Sequence, residues 1–243
     1  MTPDFSNGIA FHHQSGHAPG IVFLHGFKSD MLGTKAEMLA QFCTLRGQAY
    51  LRFDCRAHGQ SAGDFADFTI GGALADTLHM LDDHTDGPQI LVGSSMGGWL
   101  AMLAALARPE KVFAIVGLAP APDFTDQIYQ NDLNDNQRAE LLAAGQTHMP
   151  SDYGDPHLIT QKLITDGRQY FVMQRLGEIK CPLRILHGQR DADVDWRQSL
   201  DIQQRWGSDD CAVTLLKDSD HRLSSDADLA ALRDVITQLL GRG

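Results

Sequence analysis

A serine framed by two glycines is the clearest candidate for chemistry in this chain. Ser95 stands in the middle of Gly93-Ser94-Ser95-Met96-Gly97, which fits the pattern G-x-S-x-G. A nucleophile carried on a tight turn between a strand and a helix needs small residues two positions before and after it, because its backbone is strained. Ser94 is out of register with both glycines. We therefore predict that Ser95 is the nucleophile.

An acid and a histidine later in the chain could activate this serine, which is a weak nucleophile without a base. Where G-x-S-x-G marks such a turn, the acid and then the histidine follow the serine in chain order. His221 is the last histidine of the chain, and Asp191 stands in an H-G-x-x-D pattern before it. Asp191 would hold the imidazole in the correct tautomer. Asp193 remains an alternative acid, whereas Asp218 and Asp220 are too close to His221 in sequence to be first choices.

Acyl chemistry at a serine also needs two backbone N–H donors that face the developing negative charge. One should be the amide of Met96, which directly follows the nucleophile. The other should come from the loop Leu24-His25-Gly26-Phe27, where Phe27 is the candidate donor. We expect His25 to be structural in this loop. We expect His58, in Arg56-Ala57-His58-Gly59-Gln60-Ser61, to pack its own loop.

We predict no metal site and no cofactor. The cysteines are far apart, show no C-x-x-C pair, and are expected to be buried or half-buried free thiols in a reducing compartment. They are Cys43, Cys55, Cys181 and Cys211. The N-terminal histidines lack carboxylates at the spacing of metal ligands. These histidines are His12, His13 and His17.

Short apolar runs that alternate with segments of helical period must position these residues. The predicted buried strands are Ile21–Leu24, Ala49–Phe53, Gln89–Val92, Val112–Leu118, Leu183–Leu186 and Ala212–Leu216, with an antiparallel edge strand at Gly8–His13. The predicted helices are Thr34–Leu45, Thr69–Leu81, Met96–Ala107 and Asp226–Leu240. This alternation predicts a doubly wound, mostly parallel sheet. With the serine turn after a buried strand, the prediction is an α/β-hydrolase fold.

One long segment breaks this alternation. We predict a single domain over residues 1–243, with an insertion from about Pro120 to Lys180 that forms a small helical cap over the carboxyl edge of the sheet. Its expected helices are Asn134–Ala144 and Gly167–Leu176, and its turn signals are Met149–Asp152 and Gly154–Pro156.

The bulk composition excludes several classes of protein. The 243 residues carry a formal net charge of -11, which would repel nucleic acid. No apolar run approaches the length of a membrane span. The first residues, Met1–Asn7, show no basic stretch followed by an apolar run. A cytoplasmic enzyme is therefore expected, and the sequence gives no prediction of oligomeric state.

Beyond the fold, the chain resembles the family of alpha/beta hydrolase domain-containing protein ten. The matching stretches are Gly33–Ala36, Arg52–Asp54, Asp86–Trp99, Ala107–Val112, Cys181–Gly188 and Ser219–Arg222. The resemblance runs from about Gly20 to Leu240 and is weakest in the insertion. It implies the triad Ser95, Asp191 and His221, whereas His25 departs from the family's oxyanion loop. Animal members are mitochondrial serine hydrolases, associated with removing palmitate and similar S-acyl groups from proteins and with hydrolysing acyl glucuronides.

The predicted function is therefore that of a serine hydrolase acting on carboxylic ester or thioester bonds through an acyl-enzyme. Its substrate would be a small-molecule ester or thioester, or an S-acylated protein. Two alternatives stay open. The same triad could hydrolyse an acyl glucuronide, lactone, amide or carbon–carbon bond, or the chain could be a non-catalytic, ligand-binding homologue.

Overall fold

The computed structural model of the protein describes residues 2–150 and 156–241. Its strands are β1 Asp4–Ser6, β2 Ile9–Gln14, β3 His17–Leu24, β4 Gln48–Phe53, β5 Gln89–Ser94, β6 Val112–Leu118, β7 Gln146–Met149, β8 His157–Thr160, β9 Leu183–Gly188 and β10 Cys211–Leu216. Its α-helices are α1 Thr34–Arg46, α2 Ile70–His84, α3 Met96–Ala107, α4 Phe124–Gln127, α5 Asp135–Ala144, α6 Gln161–Gly167, α7 Arg197–Arg205 and α8 Asp226–Leu240.

The central sheet has eight strands in the order β1-β2-β4-β3-β5-β6-β9-β10. The strands from β4 to β10 in this order pair in parallel, while β1 and β2 pair antiparallel at one edge. Leu118 at the end of β6 pairs with Ser94 on one side and with Leu186 on the other. The carboxyl ends of neighbouring strands are therefore level, so their loops meet at one edge of the sheet. The predicted α/β-hydrolase fold is confirmed.

Burial of apolar side chains on both faces stabilises the central sheet. Along β5, Leu91 packs into one apolar cluster with Trp99 of α3. Its neighbours Ile90 and Val92 point to the opposite face, into a second cluster that includes Leu39 of α1. All three β5 side chains are completely buried. A strand buried on both faces reads as a continuous apolar run, which explains why the sequence located it.

The segment between β6 and β9 has a small core of its own. It contains α4, a π-helical turn at Ile128–Asp132, α5, the antiparallel pair β7 and β8, and α6. The buried members of this core are Ile128, Leu133, Leu141, Ile159 and Ile164. We call this segment the insertion. The division of the chain into one domain with a cap stays a prediction.

One predicted element of the insertion is wrong. A helix was expected over Gly167–Leu176, but α6 ends at Gly167 and only a 3-10 turn, Arg168–Tyr170, follows it. The carboxylate of Asp123 accepts hydrogen bonds from the amides of Val172, at 2.7 Å, and Met173, at 3.2 Å. These two amides therefore donate to a side chain from a distant loop instead of forming the backbone hydrogen bonds of a helix.

The two expected turns of the insertion, Met149–Asp152 and Gly154–Pro156, fall mostly on residues 151–155, outside the described part of the chain. Among the helices that the structure describes, none is both long and apolar enough to cross a bilayer.

Candidate active site

Ser95 occupies the turn between β5 and α3, in a backbone conformation that is rare for a residue with a side chain. Its φ is 53° and its ψ is -115°. A Cβ at Gly93 would lie 2.3 Å from the carbonyl oxygen of Gly97, and one at Gly97 would lie 2.0 Å from the carbonyl oxygen of Leu24. Only glycine fits at either position. The sequence argument for small residues around a strained serine therefore agrees with the geometry.

Asp191 follows β9 and makes direct contact with His221. Asp191 Oδ2 lies 2.7 Å from His221 Nδ1, and the carboxyl side chain is completely buried. Oδ1 accepts the amides of Asp193, at 2.9 Å, and Val194, at 2.8 Å. Burial alone would raise the pKa of Asp191, but hydrogen bonds from His187, His221 and the Val194 amide outweigh it and hold that pKa well below its ordinary value. The carboxylate is therefore ionised whenever the protein is folded near neutral pH.

Asp193, the alternative acid, is exposed, and its backbone amide supports Asp191. Side-chain atoms of Asp191, Asp193 and His221 that could bind a metal lie within 4.8 Å of one another. The Asp191 oxygens already accept hydrogen bonds from amides and imidazoles, which is the environment of an orienting carboxylate. The absence of a metal site stays a prediction.

The loop that carries His221 is held by neighbouring elements. The ammonium group of Lys35 in α1 donates a hydrogen bond to the carbonyl oxygen of Arg222. The Ser219 hydroxyl donates one to the carboxylate of Asp228 in the first turn of α8. The amide of Arg190 donates to the carbonyl oxygen of Ser219 at 3.0 Å, which joins the acid loop to the histidine loop. Positioned in this way, His221 is only 17% exposed.

Ser95 and His221 line the same cavity, whose volume is about 920 Å³. Phe27, Lys28 and His157 also line it. Within residues 2–150 and 156–241, no hydrogen bond joins the Ser95 hydroxyl to His221; such contacts often tighten only when substrate binds.

The two backbone amides predicted as oxyanion donors belong to segments that lie close to Ser95. Met96 is the first residue of α3, so its N–H has no partner within the helix. Phe27 follows Gly26, at which a Cβ would lie 3.4 Å from the Cβ of Ser95. The loop after β3 therefore passes directly beside the nucleophile. That the amides of Met96 and Phe27 form an oxyanion hole stays a prediction.

Two buried histidines hold the oxyanion loop from behind. His25 is 1% exposed; its Nε2 accepts the Cys55 amide at 3.0 Å, and its Nδ1 donates to the Gly26 carbonyl at 2.8 Å. His58 Nε2 accepts the Lys28 amide at 3.2 Å. Burial lowers the pKa of His25 and lowers that of His58 to about 3. Both rings are therefore neutral supports, in agreement with the structural roles expected for them.

The ring of Phe27 lies in an aromatic cluster that sequence reasoning did not find. Its centroid is 5.3 Å from that of Phe65, 5.9 Å from that of Phe68 and 5.5 Å from that of Phe124. Phe124 belongs to α4 of the insertion, and His157 of β8 lies 6.0 Å from the same ring. We call Phe27, Phe65, Phe68 and Phe124 the aromatic cluster. Because its members come from distant segments, no local pattern in the sequence predicts the cluster.

His187, a buried residue that lies 3.1 Å from Asp191, was also not predicted as a site residue. A signal was available, because His187 is the first residue of the H-G-x-x-D pattern that identified Asp191. Lys35 was likewise missed, and no local pattern points to it. All four cysteines among the described residues are free, as expected.

Comparison with known proteins identifies the family that this chain resembles. Residues 21–235 match the model of the alpha/beta hydrolase family. The bovine protein named palmitoyl-protein thioesterase ABHD10, mitochondrial, is 39% identical over 99% of this chain and 78% of its own length. The human protein of that name is 38% identical over the same shares. The structure of mouse alpha/beta hydrolase domain-containing protein 10 superposes with a TM-score of 0.88 and 38% identity, covering 96% of this chain and 94% of its own.

One prediction fails against these relatives. A cytoplasmic location was expected, but the bovine and human proteins are both named as mitochondrial, which contradicts it. The expectation rested on seeing no leader in the first residues.

Proposed function

Because this chain belongs to the alpha/beta hydrolase family and is a hydrolase of ester or thioester bonds, we propose that Ser95, His221 and Asp191 are its catalytic triad. The observation that carries the proposal is the 2.7 Å contact between His221 Nδ1 and Asp191 Oδ2, beside a cavity that Ser95 also lines. The proposal is supported by an ionised acid beside an imidazole and by a strained serine that lines the same cavity as that imidazole.

The first half of the reaction forms an acyl-enzyme. His221 Nε2 removes the proton of the Ser95 hydroxyl as the oxygen attacks the carbonyl carbon of the substrate. Asp191 stabilises the imidazolium that results, because its carboxylate stays ionised at the buried contact. The amides of Met96 and Phe27 stabilise the oxyanion. The tetrahedral intermediate then collapses, and His221 gives its proton to the leaving thiol or alcohol.

The second half releases the acid. A water molecule takes the place of the leaving group, and His221 removes a proton from it as it attacks the acyl carbon. The same two amides hold the second oxyanion. When this intermediate collapses, the proton on His221 returns to the Ser95 oxygen, and the carboxylic acid product leaves. No cofactor enters these steps.

The substrate we propose is a thioester with an apolar acyl group, such as an S-acylated protein. The support comes from the relatives named as palmitoyl-protein thioesterases and from the aromatic side chains beside the nucleophile. Of the aromatic cluster, Phe27 lines the cavity, and its ring packs on Phe65 and Phe124. Burial of acyl methylenes against such rings contributes about 0.8 kcal/mol per CH₂. We further propose that the insertion acts as a cap, because Phe124 belongs to it.

Replacement of Ser95 tests the triad. We expect Ser95→Ala to lower kcat for p-nitrophenyl esters by about 10⁴-fold or more and to abolish labelling by a fluorophosphonate. Ser94→Ala, one residue away on the same turn, is the matched control and should keep both activities. Labelling of Ser95→Ala at the wild-type rate would disprove the assignment.

A substrate panel tests the bond that is cleaved. Acyl-CoA thioesters and p-nitrophenyl esters of graded chain length are compared with acyl glucuronides, lactones and amides. We expect kcat/KM to be greatest for thioesters and to rise with acyl length, since each added methylene meets apolar surface. Preference for another bond would contradict the proposed substrate, and tight binding without turnover would indicate a non-catalytic homologue.

A further inference from the structure

A second buried imidazole contacts the catalytic acid, and the mechanism above gives it no task. His187 lies near the end of β9 and is completely buried. Its Nε2 is 3.1 Å from Asp191 Oδ2 and 3.1 Å from the carbonyl oxygen of Val194. Its Nδ1 is 2.6 Å from the hydroxyl of Ser199, which α7 contributes and which is also completely buried. Every nitrogen of this ring therefore has a partner inside the protein.

These contacts determine which nitrogen carries the proton. The carbonyl oxygen of Val194 can only accept, so Nε2 of His187 must be the donor. The same N–H is shared with the Asp191 carboxylate, which also only accepts. In the neutral ring, Nδ1 then accepts the hydroxyl proton of Ser199. The chain of contacts runs from Ser199 through His187 to Asp191 and ends at His221.

The hydrogen bonds on Asp191 divide evenly between its two oxygens. Oδ1 takes the amides of Asp193 and Val194, and Oδ2 takes the two imidazoles, at 2.7 Å from His221 and 3.1 Å from His187. A carboxylate with donors on both sides of each oxygen cannot rotate about its Cβ–Cγ bond without breaking several of them. Without His187, one side of Oδ2 would be empty, and the carboxylate could turn away from His221.

We propose that His187 is a positioning residue, which holds the Asp191 carboxylate so that Oδ2 faces His221, and that Ser199 in turn holds His187. This inference rests on the proposed triad. His187 does not touch the substrate or the reacting atoms; it acts through Asp191. Displacement of a catalytic group by about 1 Å can cost about 100-fold in rate, so an effect on kcat is expected even from this distance.

Two amide substitutions at position 187 separate positioning from packing. In His187→Gln the amide nitrogen takes the place of Nε2, so a donor to Asp191 remains. In His187→Asn the amide nitrogen takes the place of Nδ1 and cannot reach Asp191. Both side chains are neutral, polar and smaller than histidine. Asn is one methylene shorter than Gln, so a residue that only fills space would show the difference between the two variants in melting temperature and not in kcat.

The experiment measures kcat, KM and melting temperature with a p-nitrophenyl ester. We expect His187→Asn to lower kcat about tenfold or more with KM changed less than about threefold, since the acid is misplaced while the substrate cavity is intact. His187→Gln should recover kcat to within about threefold of the wild type. Ser199→Ala, which leaves His187 in place, should lower kcat by about two- to fivefold.

Several outcomes would overturn the positioning role. Wild-type kcat in His187→Asn would do so, as would equal losses in the Asn and Gln variants. If His187→Asn does not fold, an unchanged kcat in Ser199→Ala overturns the role and a reduced one supports it. Activity retained by Ser95→Ala would refute the triad itself, whereas an inactive Ser95→Ala beside a fully active His187→Asn refutes only the role of His187.

Discussion

At the scale of single residues, the site depends on which oxygen faces which nitrogen. The sequence offered Asp191 and Asp193, two residues apart in one loop, as the partner of His221. In the fold, the Asp191 carboxylate is buried against the imidazole of His221. Asp193 is exposed, and its backbone amide donates a hydrogen bond to Asp191. Burial strengthens the electrostatic attraction between a carboxylate and an imidazolium, so we propose that Asp191, the buried acid, stabilises the charge that forms on His221.

Replacing each acid in turn tests this assignment. Asp191→Asn keeps the shape of the side chain but removes the charge and favours the wrong imidazole tautomer, so kcat should fall by about 10⁴-fold. Asp193→Asn is the matched control, and its kcat should stay within about threefold of the wild type because its side chain is exposed. The measurement is steady-state hydrolysis of a p-nitrophenyl ester. The opposite ranking of the two variants would assign the acid to Asp193.

At the scale of elements, the oxyanion loop is positioned by parts of the chain that are far from it in sequence. The Phe27 ring packs on Phe65 and Phe68, which precede α2, and on Phe124 of the insertion. Behind the loop, His58 accepts the Lys28 amide. An amide donor is useful in catalysis only when it is held in place before the charge develops. The aromatic cluster therefore connects the insertion to the loop that carries the proposed oxyanion donor, Phe27.

Two substitutions in the aromatic cluster separate its contribution to stability from its contribution to catalysis. Phe27→Ala and Phe65→Ala each remove a half-buried ring, so each should lower the free energy of unfolding by about 2 kcal/mol. Only Phe27 carries a donor amide, so only its variant should also lose kcat, by about tenfold. Urea unfolding and ester hydrolysis measure the two effects. Equal kcat losses in both variants would show that the cluster acts on catalysis only through general stability.

At the scale of the whole molecule, the buried histidines make the fold sensitive to acid. Burial lowers the pKa of His58 to about 3, whereas in the unfolded chain the ordinary value is about 6.5. Between these values the unfolded state binds a proton that the folded state does not. Stability is therefore full above about pH 6.5 and is lost as the pH falls towards 3. Asp191, whose pKa is also lowered, adds to this loss only below its ordinary value of about 3.9.

This linkage gives a measurable slope. Between pH 6.5 and pH 4.5, His58 should cost the wild type about 1 kcal/mol of unfolding free energy per pH unit. His58→Gln removes this titration, so its stability should fall less steeply over the same range, whatever its stability at pH 7. His148→Gln is the matched control, because it makes the same substitution at an exposed histidine. Urea unfolding at several pH values measures the slopes; parallel slopes for wild type and His58→Gln would contradict the prediction.

The amino-acid sequence by itself determined the sheet, the turn at Ser95 and the loops from which the candidate catalytic residues project. These features are encoded locally: a strand buried on both faces is a continuous apolar run, and a strained turn requires small residues at Gly93 and Gly97. Because the carboxyl ends of parallel strands lie at one edge, loops after different strands had to converge there.

Only the tertiary structure brought Asp191 into contact with His221, placed His187 and Ser199 beside that carboxylate, and assembled the aromatic cluster around Phe27. In place of the expected helix over Gly167–Leu176, the structure has an irregular segment in which the Val172 amide donates a hydrogen bond to Asp123. These features depend on contacts between residues far apart in the chain, and the free energy of such contacts is set by the fold rather than by any local pattern.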